Sequence, residues 1–248
     1  MSDKSTPSVT VCIPTLNESA SLRPILEGSQ PFADELLVVD GGSTDGTVEL
    51  AEELGARVLR DNGRGKGAAL RQAINQCHCD IIAFIDADGS HDPADLERML
   101  APLKAGECDI VVGSRGRGGS EELQGDIEKL IRMIGSDIVT LGINYRFGVK
   151  LTDSQNGFRA MTVACAKDLD LAEDIFTIEQ EMLLKAMWRG KHVIEIPTRE
   201  YARAFGDSRI VLSRVAPRYL YVLLKYLIVP GRPRGKSLPG RWGTVERR

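Results

Sequence analysis

The chain has 248 residues, of which 42% are hydrophobic, and a formal net charge of −3 at neutral pH. That length and apolar content suffice for one α/β domain with a sizeable core. Ordinary hydrophobicity and weak net charge exclude a disordered chain and give no sign of a nucleic-acid binder.

Met1 to Ser8 is polar, reads as a flexible tail and lacks the apolar stretch of a signal peptide. From Val9 onward, short apolar runs alternate with helical patterns. Val9–Pro14, Leu36–Asp40, Arg57–Arg60, Ile81–Asp86 and Ile110–Ser114 read as strands, apolar throughout as strands covered on both faces should be. Glu18–Leu26, Thr47–Leu54, Lys66–Gln76 and Pro93–Lys104 read as helices, the last started by Asp92 as cap and Pro93 at the first helical position. Such alternation predicts βαβ units and a mostly parallel central sheet with helices on both faces. The second half is less regular. Gly113–Gly125 reads as a mobile loop, Asp126–Tyr145 and Phe176–Arg189 as helices, and Val193–Glu200 as a strand placed at an edge by Pro197.

The cysteines, Cys12, Cys77, Cys79, Cys108 and Cys165, are odd in number and irregularly spaced, which suits a reducing compartment rather than a disulfide framework. Cys77-His78-Cys79 has no second Cys/His pair to complete a tetrahedral zinc site.

In open α/β sheets, ligands bind at the carboxyl ends of the strands, and the polar residues collect there. Asn17 and Glu18 follow the first strand, Asp40 ends the second, and Asp86 and Asp88 end the fourth. Two acids one residue apart in extended backbone face one side. A hard cation such as Mg2+ takes one or two carboxylates and completes its shell with water and phosphate oxygens. Gly63-Arg64-Gly65-Lys66-Gly67 opens a helix but fits neither a P-loop, which needs Ser or Thr after Gly-Lys, nor the dinucleotide fingerprint. What it offers is a helix N-terminus with Lys66 suited to an anion. Asp45, within Asp40-Gly41-Gly42-Ser43-Thr44-Asp45, reads as the cap of the next helix.

Taken in order, Pro14-Thr15-Leu16-Asn17-Glu18, the Asp40 loop, Asp86-Ala87-Asp88 and Gly113-Ser114-Arg115 resemble the family 2 glycosyltransferases of GT-A fold. Asp153-Ser154-Gln155-Asn156-Gly157-Phe158, Glu179-Gln180-Glu181-Met182 and Arg203-Ala204-Phe205-Gly206-Asp207-Ser208-Arg209 narrow the resemblance to the polyprenyl-phosphate hexosyltransferases, the group of dolichyl-phosphate mannose synthase. It covers roughly Val9 to Leu212. The resemblance implies a GT-A catalytic domain over residues 9–212. It also implies transfer of a hexose, with inversion, from a GDP- or UDP-sugar to a polyprenyl phosphate, assisted by Mg2+ or Mn2+. It assigns Pro14, Leu16, Glu18, Asp40, Lys66, Asp86, Ala87 and Arg209 to the nucleotide-sugar, and Asp88, Arg115 and Arg203 to catalysis. Arg115, Arg132 and Arg203 fall to the acceptor phosphate, and Asp88, Asp86 and His91 to the metal.

The chain departs from the family pattern at Leu16, where Tyr is usual, at Ser90, where Gln often supplies a further ligand, and at Asn156. His91 beside Ser90 is the candidate replacement ligand, and would favour Mn2+. An acceptor phosphate needs little deprotonation, whereas a sugar hydroxyl needs a carboxylate base. Asp153, Glu179 and Glu181 are the candidates for that base, and the sequence does not choose among them. A family 2 enzyme acting on a soluble or glycan hydroxyl, and a catalytically silent nucleotide-sugar-binding regulator, are the alternatives.

Residues 213–231, with the run Tyr219-Leu220-Tyr221-Val222-Leu223-Leu224-Lys225 flanked by bases, form an expected amphipathic helix that lies on an anionic membrane surface or docks on the core. Residues 232–248 read as a basic flexible tail. The run falls short of the roughly 18 apolar residues of a membrane span, so the expectation is a peripheral protein at the cytoplasmic membrane face.

Overall fold

The apolar runs of the first half all end at one edge of a single sheet. In the computed structural model, which describes residues 6–61, 63–121, 127–203 and 212–228, strands and helices alternate. They run β1 (Val9–Thr15), α1 (Ser19–Ser29), β2 (Glu35–Asp40), α2 (Thr47–Glu53), β3 (Arg57–Arg60), α3 (Lys66–Gln76), β4 (Ile81–Phe84), α4 (Asp95–Lys104) and β5 (Ile110–Ser114). The second half adds α5 (Arg115–Gly118), α6 (Ile127–Phe147), β6 (Arg159–Thr162), α7 (Val163–Asp168), α8 (Ile178–Trp188), β7 (Val193–Pro197) and α9 (Leu212–Ile228). The seven strands lie in the order β3-β2-β1-β4-β6-β5-β7. Only β6 runs antiparallel, paired with β4 on one side and β5 on the other.

Alternating side chains feed two cores. Val9, Val11 and Ile13 of β1 pack with Leu22 and Ile25 of α1 and Leu96 and Met99 of α4. On the opposite face, Cys12, Phe84 and Val112 pack with Leu70 of α3, Ile143 of α6 and Met182 and Leu183 of α8. Both faces are therefore covered, which is why the strands lack a polar side. α8 is buried on nearly every side, so it shows no polar stripe.

Several expected boundaries shift, each for a local reason. The fourth strand stops at Phe84; Ile85 N still donates to Cys12 O at 3.2 Å, and Ala87 and Asp88 then turn out of the sheet. The two-residue period of a strand therefore does not itself align Asp86 with Asp88. α4 starts at Asp95 rather than Pro93, because Asp92 Oδ1 accepts from Ala94 N at 2.9 Å and makes a lead-in turn. The expected loop after β5 is instead packed as far as Glu121. Arg115–Gly118 forms a helical turn, and a Cβ on Gly118 would overlap the Thr198 backbone. Residues 122–126 of that loop lie outside the described residues. β6 was not legible: Arg-Ala-Met-Thr has neither strand periodicity nor β-branched density, and the fully buried Arg159 disguises it.

α9 packs on the core through Val222 and Leu223. Tyr219 Oη donates to Phe176 O at 3.0 Å, Trp188 Nε1 to Tyr226 O at 3.1 Å, and Arg218 forms a two-pronged pair with Glu173 at 2.8 and 2.9 Å. No helix of the described residues is long and apolar enough to cross a membrane. Leu223→Ala, at a buried position, should cost about 2–4 kcal/mol in urea unfolding. Leu220→Ala on the exposed side of the same helix should stay within about 0.5 kcal/mol. Equal losses at the two positions would contradict the docking described.

Candidate active site

The switch in strand order, with β2 on one side of β1 and β4 on the other, opens a crevice at their carboxyl ends. A cavity of ≈ 200 Å³ lies there, lined by Pro14 and Thr15 at the end of β1, Leu16 and Glu18 after it, Gly41 after β2, and Asp61, Gly63 and Gly65 after β3. Val39 of β2, Lys66 and Ala69 of α3, Asp86, Ala87 and Asp88 after β4, Phe176 and Arg203 complete the wall.

The floor is an ion-pair cluster. Lys66 Nζ lies 2.6 Å from Asp86 Oδ1 and 3.0 Å from Glu179 Oε1 at the start of α8. Burial alone would lower the lysine pKa, but the two carboxylates hold it above its ordinary value. Burial would likewise raise Asp86, and the Lys66 ammonium keeps that carboxyl below its ordinary value. Gly157 presses on this pair: a Cβ there would come within 2.8 Å of both Asp86 Oδ2 and Lys66 Nζ. Gly65 and Gly67 are required for packing, since a Cβ on either would run into the backbone of Glu173 to Ile175. The wall containing Phe176 thereby lies directly on the start of α3.

Asp88 is buried at the cavity edge. Its Oδ1 accepts from Ser90 N at 3.0 Å, and its Oδ2 is 3.3 Å from Arg203 Nη2. Ser90 thus helps fix the loop through its backbone. His91 is buried 5.0 Å from the Phe158 ring and is not part of the cavity wall. Its Nδ1 has no hydrogen-bond partner among the described residues, and burial holds its pKa below the ordinary histidine value. No three His, Cys, Asp or Glu side chains among the described residues converge on a ready-made metal cage.

The remaining expected residues divide. Pro14, Leu16, Glu18, Lys66, Asp86, Ala87, Asp88 and Arg203 meet in the one cavity. Asp40 turns back into its own loop, accepting from Gly42 N and Ser43 N at 2.9 Å each and from the Ser43 hydroxyl. Arg115 is clamped by Asp153 at 2.6 and 3.0 Å and by Glu200 at 3.2 Å, and does not line the cavity. Arg209 and the side chain of Arg132 lie outside the described residues. Sequence reasoning missed Asp61 and Phe176. The strand-end rule applied to β3 points to Asp61; a lone aromatic ahead of α8 carries no such signal.

Asp45 joins the starts of two helices, its Oδ1 accepting from Thr47 N at 3.1 Å and its Oδ2 from Ser19 N at 3.0 Å. Those bonds outweigh its desolvation and hold the carboxyl down at about 2, against an ordinary 3.8. A depressed folded pKa means stabilisation that is present above pH 3.8 and lost as pH falls toward about 2. Unfolding titrations should therefore show wild type and Asp45→Ala differing most above pH 3.8 and converging below it. A difference independent of pH would refute this role.

Comparison with known proteins identifies the family. The model of glycosyl transferase family 2 matches residues 10–168. Glycosyltransferase AglJ of Haloferax volcanii is 36% identical over 203 residues, covering 80% of this chain and 65% of the relative. The chain thus spans just under two thirds of that relative's length. An undecaprenyl-phosphate mannosyltransferase of Micrococcus luteus is 32% identical over 220 residues, covering 82% of this chain and 87% of the relative. Among solved structures, glucosyl-3-phosphoglycerate synthase of Mycobacterium tuberculosis, in complex with Mn2+, uridine diphosphate and phosphoglyceric acid, shares the fold. It gives a TM-score of 0.70 at 23% identity, covering 91% of this chain and 80% of that one. With the family match spanning more than half its length, and the strand-end acids and lysine in one crevice, the chain belongs to glycosyl transferase family 2.

Proposed function

We propose that the protein transfers a hexose, with inversion, from a nucleoside-diphosphate sugar to a polyprenyl phosphate at a membrane surface, with Mg2+ or Mn2+ bound at Asp86 and Asp88. The observation that carries the donor half is the convergence of Asp86, Asp88, Lys66 and Arg203 on one cavity at the strand ends. Two carboxylates, with no third protein ligand among the described residues, suit a hard cation that completes its shell with water and diphosphate oxygens. Bound there, the ion supplies Lewis-acid stabilisation of the leaving diphosphate.

The other roles fall to the chain itself. Pro14, Leu16 and Glu18 border the space for the nucleoside, with Phe176 as the aromatic wall. Arg203, beside Asp88 in the cavity wall, carries a planar fork of donors that suits phosphate oxygens. Arg115, held by Asp153 and Glu200, sets the shape of the loop after β5. A phosphate acceptor attacks as an anion and calls for no general base. This fits the full engagement of Asp153 and Glu181 elsewhere in the fold. Asp153 accepts from Arg115, Gln155 N and Asn156 N. Glu181 accepts from Ala172 N, Glu173 N and Tyr226 Oη and pairs with Lys185 at 2.9 Å.

A lipid acceptor is supported by the apolar exterior. Ile138, Leu141 and Tyr145 on α6 are 60%, 68% and 92% exposed, and Leu220, Tyr221 and Leu224 on α9 are between 42% and 55% exposed. Arg218 and Lys225 flank the α9 residues. An apolar stripe bordered by bases is the pattern of a helix lying on an anionic bilayer. The Micrococcus luteus relative acts on undecaprenyl phosphate by its name.

Incubation with a panel of UDP- and GDP-hexoses, a polyprenyl phosphate in liposomes and Mg2+ or Mn2+ should release nucleotide and yield a lipid-linked sugar. Asp88→Ala should lower turnover by about 100-fold or more. No turnover with any donor, or turnover indifferent to Asp88→Ala, defeats the reading; turnover only onto a hydroxyl acceptor defeats its acceptor half. In flotation assays the wild type should bind anionic vesicles, and Leu220→Glu combined with Leu224→Glu should release it. Binding unaffected by the pair would remove α9 from the membrane surface.

A further inference from the structure

Asp153, Glu179 and Glu181 are the three acidic candidates of the second half, and their surroundings separate them. Asp153 and Glu181 are saturated by backbone and side-chain donors, as carboxylates in structural roles are. Glu179 differs. One oxygen faces Lys66 at 3.0 Å, while the other, buried, has no hydrogen-bond partner among the described residues. A buried carboxylate oxygen left without a donor is costly, and such violations collect at functional sites. Neither oxygen borders the cavity, so Glu179 does not meet an acceptor there as a base would.

Lys66 is equally out of place by structural rules alone. It occupies the first turn of α3, where the helix dipole repels a cation, and its side chain is only 14% exposed. Asp86 offsets that cost from the cavity side. The cation proposed at Asp86 and Asp88 would share the Asp86 carboxylate with the lysine, and Asp86's hold on the lysine would weaken. Glu179 is the anchor that remains, approaching from α8 on the side away from the ligand.

We propose that Glu179 is a positioning residue for donor binding, acting through Lys66: it keeps the ammonium at the cavity floor, aimed at the nucleotide's diphosphate. This rests on the donor reading above and is independent of the acceptor. The lysine supplies the contact with the ligand, and the glutamate supplies the lysine's place. Arg159, buried beneath, donates to Glu179 O at 2.8 Å and fixes the backbone that carries the carboxylate.

The test is calorimetric binding of UDP and GDP in the presence of Mn2+, with the wild type, Glu179→Gln, Lys66→Met, the double variant and Glu181→Gln. Glu179→Gln should weaken the preferred nucleotide about tenfold or more, as loss of a charged hydrogen-bond partner does. The double variant should bind no worse than Lys66→Met alone, because both changes remove one linked contact. Glu181→Gln should lower Tm and leave the Kd unchanged. If Glu179→Gln does not fold, Glu179→Asp, which keeps the charge on a shorter arm, takes its place with a smaller loss of the same kind. An unchanged Kd in the Glu179 variant, or losses that multiply in the double variant, overturns the proposal and leaves the donor reading intact. A wild type that binds neither nucleotide overturns both.

Discussion

The contact on which the rest of the site depends is the half-buried ion pair between Lys66 and Asp86. It ties the first turn of α3 to the turn after β4, and with Glu179 it draws in the start of α8. A charge taken out of water must be paired closely or it destabilises the fold. The surroundings comply with that demand. Gly157 has no side chain because one would press on the pair, and Gly65 and Gly67 let the Glu173–Ile175 backbone close over α3. Four segments far apart in the chain are thereby fixed around one ammonium group.

This explains why the Asp153-to-Phe158 block is so constrained. Asp153 anchors Arg115, Asn156 Nδ2 donates to Gly113 O at 2.9 Å, Gly157 clears space for the ion pair, and Phe158 packs beside His91. The segment then enters β6, the strand that runs against its neighbours. A short polar loop thus joins the strand ends that form the crevice to the half of the sheet that completes it. Asn156 fills its position by hydrogen bonding on both sides, since its Oδ1 also accepts from Phe158 N at 3.0 Å.

The first half of the fold was legible because its physics is local. Ile81 to Phe84 is apolar since both faces are covered, and Asp86 and Asp88 stand out because charge directly after such a run has no core role. The second half is governed by long-range contacts. Arg159 reads as a surface residue in sequence yet is fully buried, held by carbonyl oxygens of Asn156 and Glu179. Arg115 illustrates a related limit: its type and position suggest a phosphate ligand, whereas its direction is fixed by Asp153 and Glu200, 38 and 85 residues away. Phe176 reaches the cavity only because the chain from Glu173 to Thr177 lies across α3, a crossing that no pattern of hydrophobicity announces.

The strand order also sets when each strand's pairing partners become available along the chain. β1 to β4 emerge in succession and pair among themselves, so this half of the sheet is available once Phe84 has been synthesised. β5 follows directly but has no neighbour in that half. Its partners are β6, which begins at Arg159, and β7, which begins at Val193. Between the synthesis of Ser114 and that of Arg159, a buried apolar strand therefore waits with both edges open, as unpaired strands do at the cost of exposure to other chains. β6 covers one of those edges and β7 the other. β6 is the strand that joins the two halves of the sheet, and Gly157, just before it, lies against Asp86 and Lys66.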